Sequence, residues 1–148
     1  MKKHKSVAVV GTIYKYLAMG EDIGGAYALF ETLVPPNDPG LPPHIHRNED
    51  EAFYVLQGEF SFFLENREFV EKPGNFIFLP RGVKHSFRNN SDTIGRQIVF
   101  VNPSGFEKFF DSAGETVEDD TNLPTPPSKE HIQKVIEEAP KLGIEIDI

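Results

Sequence analysis

The 148-residue chain has no cysteine, no tryptophan and only two methionines. Without a thiol it can form no disulfide, redox CxxC pair, cysteine nucleophile, cysteine-ligated zinc site or cysteine-ligated iron–sulfur cluster. Basic residues are also scarce. Lys plus Arg number 15 against 23 Asp plus Glu, a formal net charge of −8 that repels nucleic-acid phosphates and anionic membrane surfaces. Long apolar runs are missing too. Val7–Val10 is short and is followed by Gly11 and Thr12, so neither a secretory leader nor a membrane span is expected, and a cytoplasmic location is the default. No G-x-S-x-G elbow occurs, and Gly24-Gly25 lacks the remaining pattern of a phosphate loop. Ser86 beside His85 points to the opposite face of any strand, which excludes a Ser–His pair. Phenylalanine, by contrast, is abundant at 13 residues, so a single aromatic core can form without covalent staples.

From Thr12 to Asn102 short strand patterns alternate with Gly, Pro, Asn and Asp clusters, and no long helical period intervenes. The strands expected are 12–18, 27–34, 51–56, 59–64, 67–70, 75–79, 85–89 and 95–101, with tight turns at Gln57–Gly58 and Glu65–Asn66. Eight short strands predict an all-β domain over 12–102, preceded by an arm or edge strand at 1–11. Residues 103–148 form a C-terminal helical appendage, with one helix capped by Ser104 and running through Asp111, carrying Phe106, Phe109 and Phe110, and another at 129–139 behind Ser128. Between them lies an acidic loop with Pro124, Pro126 and Pro127. Of the net charge, −7 belongs to residues 104–148, with 11 acidic and 4 basic side chains. The β region is nearly neutral, so the overall acidity carries no information about a site within it.

Three of the five histidines sit in two conspicuous segments, Gly40-Leu-Pro-Pro-His44-Ile-His46-Arg-Asn-Glu-Asp-Glu51 and Pro80-Arg-Gly82-Val-Lys-His85. In an extended strand His44 and His46 project from one face, because side chains alternate with a period of two. Glu51 opens the apolar strand Ala52–Leu56 and can return a carboxylate to the same point, in preference to Glu49 or Asp50. His85 can approach from another strand. Three imidazoles and one carboxylate suit one divalent transition metal, Fe, Mn, Ni, Co, Cu or Zn. His4 and His131 have no partners in sequence. Asn89 shares the His85 face and can hydrogen-bond backbone or a ligand.

The segment Gly40-x3-His44-x-His46-x4-Glu51-x6-Gly58 resembles the first cupin motif, with three residues between its opening Gly and the first histidine where cupins usually have five. Gly74-x5-Pro80-x-Gly82-x2-His85-x3-Asn89 matches the second motif at every fixed position. The resemblance implies a cupin-type double-stranded β-helix, a jelly-roll β-barrel with short C-terminal helices, and His44, His46, Glu51 and His85 as the four metal ligands. Gly25-Ala-Tyr27-Ala-Leu-Phe30, the Pro42–His46 run and Glu51–Gly58 look similar to the single-domain quercetin-dioxygenase-like cupins. That likeness implies a metal-dependent dioxygenase acting on a small aromatic or enolisable substrate, with Glu51 also the catalytic acid/base. The alternatives are a non-catalytic small-ligand-binding cupin and a metal-dependent isomerase or epimerase.

Strand parity suggests a substrate pocket lined by Tyr27, Phe53, Val55, Phe76, Phe78 and Phe87. Arg81, Lys84 and Arg88 read as a solvated rim. A homodimer is expected, with Lys5–Val10 offering an edge strand to a neighbour, and neither nucleic acid nor membrane is an expected partner.

Overall fold

The computed structural model describes residues 5–147. In chain order its strands are β1 (Ser6–Val9), β2 (Thr12–Ala18), β3 (Ala28–Val34), β4 (His44–His46), β5 (Asp50–Gln57), β6 (Phe60–Leu64), β7 (Arg67–Glu71), β8 (Phe76–Leu79), β9 (His85–Asn89), β10 (Gly95–Asn102), β11 (Glu115–Val117) and β12 (Ile144–Ile146). The helices are α1 (Glu107–Ala113) and α2 (Lys129–Glu138). A seven-stranded sheet runs β11-β1-β2-β3-β10-β5-β8, and a five-stranded sheet runs β12-β4-β9-β6-β7.

All eight strands expected from the sequence form, and every ladder is antiparallel, so each strand can bury one face and show the other. The β6–β7 hairpin pairs Leu64 with Arg67 across Glu65–Asn66, and Glu65 takes φ 52°, as a two-residue turn of this hand requires. The inner faces of the two sheets share one core, in which Phe30, Phe60 and Phe62 are fully buried. Helix α1 closes one side. Its stripe of Phe106, Phe109 and Phe110 is buried, and the Phe110 ring lies 4.2 Å from Tyr14 and 5.1 Å from Phe30. Burying an aromatic ring of this size contributes roughly 1.5–3 kcal/mol, so the stripe fixes the helix in place.

The closed jelly-roll barrel expected from the sequence does not form. The architecture is an open double sheet with short helices. One sheet ends at β11 and β8, the other at β12 and β7, and no ladder joins them among the described residues. Strand length and the tail explain this. Strands β4 and β8 have three and four residues, too few to carry a ladder around a closed wall. The remaining edges are taken by tail segments: β11 pairs with β1, and β12 pairs with β4. The segment read as helical thus also supplies one edge strand to each sheet.

The arm behaves differently from expectation as well. Strand β1 lies between β2 and β11 within its own chain, so it has no free edge to offer a neighbour. Helix α2 starts where the sequence placed it, with Ser128 Oγ accepting the His131 N–H at 3.1 Å. Helix α1 starts two residues later than a Ser104 cap would set it, with Phe106 at its N-cap. Ser104 Oγ donates instead to the Gly25 carbonyl, while the Glu107 carboxylate accepts the N–H groups of Gly105 and Gly20.

Candidate metal centre

Strand β4 is three residues long, and its side-chain alternation sends His44 and His46 inward while Ile45 faces away. Its register with β9 sets His44 directly opposite His85. On the other sheet, Glu51 points inward from β5 between Leu79 of β8 and Val101 of β10. Three strands from two sheets therefore converge. One ligand atom from each of His44, His46, Glu51 and His85 lies within 4.8 Å of the others, and all four side chains are buried, at 8%, 2%, 4% and 2% exposure.

Gly40 explains how β4 reaches this position. It adopts φ 76°, and a Cβ there would collide with the Phe87 carbonyl of β9. Only glycine lets the incoming chain pass so close. On the outer side of β4, β12 pairs Ile144 with His46 and Ile146 with His44. The Arg47–Glu145 and Lys84–Asp147 ion pairs, at 2.7 and 2.9 Å, bracket that ladder.

The far nitrogens of the rings are turned away from the cluster. His44 Nδ1 sits 2.9 Å from the Pro42 carbonyl, and His85 Nδ1 sits 3.2 Å from the Val83 carbonyl. A carbonyl only accepts, so each Nδ1 is the protonated nitrogen and each Nε2 keeps its lone pair for the centre. His46 presents Nδ1 to the Glu49 carboxylate at 3.7 Å and Nε2 to Glu51 at 3.5 Å. His85 Nε2 lies 3.0 Å from Glu51 Oε2.

The charge balance is tight. Burial pulls His44 down to about 4, helped by the neighbouring His85 and His46. His46 is also pulled down by burial, yet Glu51 and then Glu49 outweigh that and leave it above its ordinary value. Burial would push Glu51 up, but His46, His85 and His44 together hold it down to about 2. The carboxylate is ionised among imidazoles.

The donor set fits a metal. His85 Nε2, His46 Nδ1 and Glu49 Oε2 are buried and make no well-aligned hydrogen bond among the described residues, although His85 Nε2 faces Glu51 Oε2 at 3.0 Å and His46 Nδ1 faces Glu49 Oε2 at 3.7 Å. Unpaired buried polar atoms are costly, and a divalent ion would satisfy the one aimed into the cluster. Such a mixed nitrogen and oxygen set is consistent with several divalent transition metals.

Residues 30–101 match the cupin domain family. The chain carries a cupin domain. It is 30% identical over 130 residues to quercetin 2,3-dioxygenase of Aspergillus japonicus, covering 84% of this chain and 37% of that one. Quercetin 2,3-dioxygenase of Bacillus subtilis is 27% identical over 106 residues, covering 72% and 31%. This cupin chain thus spans about a third of the length of these two curated relatives. Among solved structures, KdgF from a Halomonas species aligns with a TM-score of 0.61 at 21% identity, covering 71% of this chain and 91% of that one. A predicted oxalate decarboxylase from Thermotoga maritima aligns with a TM-score of 0.61 at 20% identity, covering 69% and 94%. At these identities the structural likeness concerns the cupin fold.

The residues expected to line a pocket divide into two groups. Phe53 and Val55 are buried beside Glu51, and the half-buried Phe87 joins them, its ring 5.4 Å from Phe53 and 5.6 Å from Phe62. Phe76 and Phe78 face out, at 64% and 50% exposure, while Ile77 and Leu79 face in. The pairing of Glu51 with Leu79 sets this parity, because Phe78 then falls opposite the outward Ala52. Tyr27 packs its ring 5.1 Å from Phe100, which also faces outward. Those three aromatic rings belong to the outer surface.

One neighbour of the cluster carried no sequence signal that set it apart. The Phe106 ring lies edge-on to His46 at 4.7 Å, and nothing in a helical stripe distinguishes that phenylalanine from Phe109 and Phe110. Its chain neighbours Ser104, Gly105 and Glu107 line a cavity of about 810 Å³ whose other walls include Tyr16, Met19 and Gly20. Glu49, weighed as a ligand on sequence, instead faces the far nitrogen of His46. Asn89 lies away from the cluster, donating to the carbonyls of Pro35 and Thr93 and accepting from Ser91 N–H. His131 accepts the Val10 N–H at 2.9 Å and faces Glu115 at 3.3 Å, while His4 lies outside the described residues.

Proposed function

We propose that this chain is a metal-dependent cupin oxygenase acting on a small aromatic or enolisable molecule. The observation that carries the reading is the buried convergence of His44, His46, Glu51 and His85, with one ligand atom from each within 4.8 Å of the others. Similarity to two quercetin 2,3-dioxygenases supports oxygen chemistry over other cupin reactions. The basic side chains near His85 support an uncharged substrate. Arg81, Lys84 and Arg88 are engaged with Asp50, Asp147 and Glu68 at the surface, leaving no cationic cradle for a phosphate.

The four ligand residues would hold the ion, which when bound supplies Lewis-acid polarisation and, if redox-active, a partner for dioxygen. Glu51 is the proton acceptor in this reading. Its carboxylate is ionised and faces the point on which the three imidazoles converge. His44 and His85, each fixed by a backbone carbonyl, hold the rings in one tautomer. Phe106 covers the edge of His46 and keeps water from that side.

The test is anaerobic loading with Fe(II), Mn(II), Ni(II) or Co(II), addition of quercetin and simpler hydroxylated aromatics and enols, then admission of ¹⁸O₂. Oxygen consumption with both labelled atoms in the product is expected, and its loss in Glu51→Ala. Unchanged substrate masses without oxygen uptake contradict the reading. A rearranged product of unchanged mass would indicate an isomerase, and saturable binding without product a ligand-binding module.

A further inference from the structure

Taking the buried cluster as the oxygenase centre proposed above, we infer that the cavity between the β2–β3 connection and the start of α1 is the vestibule that receives substrate, with Phe106 as the side chain that admits it. His44, His46, Glu51 and His85 are only 2–8% exposed, so no substrate reaches them until something moves. A cavity of about 810 Å³ lies against the segment that carries Phe106. Ser104, Gly105 and Glu107 line it, and Phe106 alone of that segment turns away, its ring 4.7 Å from the His46 ring. Its backbone runs between two lining residues while its ring covers a ligand. The local backbone leaves that ring room to move. Gly105 takes φ 134°, and the space where its Cβ would stand is empty. The segment is anchored on both sides, Ser104 Oγ to the Gly25 carbonyl at 3.0 Å and the Glu107 carboxylate to the Gly20 N–H at 3.3 Å. Between those anchors Phe106 swings out while both sheets stay in place.

Size and charge define what the vestibule takes. At about 810 Å³ it falls in the range of sites for drug-sized ligands and accommodates a molecule of two or three rings, whereas a small organic acid would leave most of it to water. Its charged lining groups are three acids, Glu21, Glu107 and Asp111, and two bases, Lys5 and Lys108. Lys5 Nζ is held by Asp111 at 2.8 Å, so an anion meets no surplus of positive charge. The Tyr16 hydroxyl also donates to Asp111, at 3.0 Å, and its ring joins Met19 as apolar wall. Gly20, Gly24 and Gly25 leave bare backbone against which a flat ring can lie. The lining therefore suits an uncharged hydroxylated aromatic, whose hydroxyls donate to a surface rich in carboxylates and carbonyls.

Since the chain has no cysteine, Lys108→Cys puts a unique thiol on the exposed rim of the cavity. Two rates are read: extraction of the bound ion by phenanthroline, a flat aromatic chelator, and uptake of the same ion by stripped protein. A bulky maleimide on Lys108→Cys is expected to slow both about 10-fold. The same label on Val70→Cys, an exposed site on the other sheet, is expected to change neither. Phe106→Ala is expected to speed both about 10-fold and Phe106→Trp to slow both. Anaerobic equilibrium dialysis of metal-loaded protein against quercetin is expected to show binding lost in labelled Lys108→Cys and kept in labelled Val70→Cys. Faster extraction with unchanged uptake in Phe106→Ala would show that the ring only positions His46, and would overturn the inference. Rates or quercetin binding indifferent to the Lys108→Cys label would overturn it as well, whether or not Phe106→Ala folds. A wild type that takes up no ion would overturn the metal reading itself, whereas uptake at rates no variant alters would overturn the vestibule alone.

Discussion

The two faces of strands β5 and β8 carry the same kind of residue and meet opposite fates. Inward, Glu51, Phe53 and Val55 alternate with Ala52, Tyr54 and Leu56 outward, and on β8 Ile77 and Leu79 alternate with Phe76 and Phe78. The inner residues are covered by the second sheet, and one of them is a carboxylate surrounded by imidazoles. Of the outer residues, Tyr54, Leu56, Phe76 and Phe78 are exposed, and only the small Ala52, flanked by Phe78 and Phe100, is covered. Apolar character therefore does not decide which face is the core. What decides it is the opposing sheet, which brings His44, His46 and His85 to the inner side.

The sharpest way to break this comparison is to cut equivalent rings from the two faces. Phe53→Ala is expected to cost about 3–5 kcal/mol in urea unfolding, since it leaves a cavity beside Phe62 and Phe87. Phe76→Ala, at a side chain 64% exposed, is expected to change stability by about 0.5 kcal/mol or less. Equal losses would show that the faces are not distinct.

Acid probes the inner face next. Metal-free His44 is held at about 4 against an ordinary 6.5, so the unfolded chain takes up its proton first as pH falls. Its contribution is therefore complete above pH 6.5 and is lost as pH falls toward 4, by roughly 3 kcal/mol for His44 alone at 1.36 kcal/mol per unit. His46, raised by Glu51 and Glu49, acts in the opposite direction: its contribution is present below 6.5 and is lost as pH rises through its folded value. An NMR titration of the metal-free protein separates the two, and His44 titrating at or above His46 would contradict the assignment.

Glu49 gives a smaller effect. Its carboxylate faces His46 Nδ1, so Glu49→Ala is expected to weaken metal binding about 10- to 100-fold while Glu49→Gln, which keeps an acceptor, loses less. Competition with a chelator measures both. Smallest of all is the exposed Arg47–Glu145 pair beside β12, where Arg47→Ala is expected to leave the melting temperature within measurement scatter. A large drop there would mean that the tail strand is held by charge rather than by its ladder to β4.

Much of this was legible from the sequence, and the failures share a cause. The eight strands, the Glu65–Asn66 turn and the Ser128 cap follow from local pattern, because alternation, turn residues and caps act over a few positions. The convergence of His44, His46, Glu51 and His85 was legible from spacing and parity together. Strands β11 and β12 were not, since three residues carry too little periodicity and both exist through their partners β1 and β4. The parity of Phe76-Ile77-Phe78-Leu79 was ambiguous because both alternations are apolar, and only the register with Glu51 resolves it. Barrel closure failed for a related reason, since it depends on which strands meet at the edges. Phe106 touches the cluster through tertiary packing, which leaves no mark on residue spacing, whereas Glu49 was visible as a nearby carboxylate and only its role, facing His46 Nδ1, was not.

The central claim is that the four inward side chains are a metal site, and metal analysis tests it most directly. Protein prepared without chelator or a metal-affinity tag, then offered divalent transition metals, is expected to bind one ion per chain. His46→Ala and Glu51→Ala are each expected to abolish that binding while near-UV circular dichroism of the phenylalanine and tyrosine core is retained. A folded wild-type protein that takes up no ion, or variants that bind as tightly as the wild type, would contradict the account.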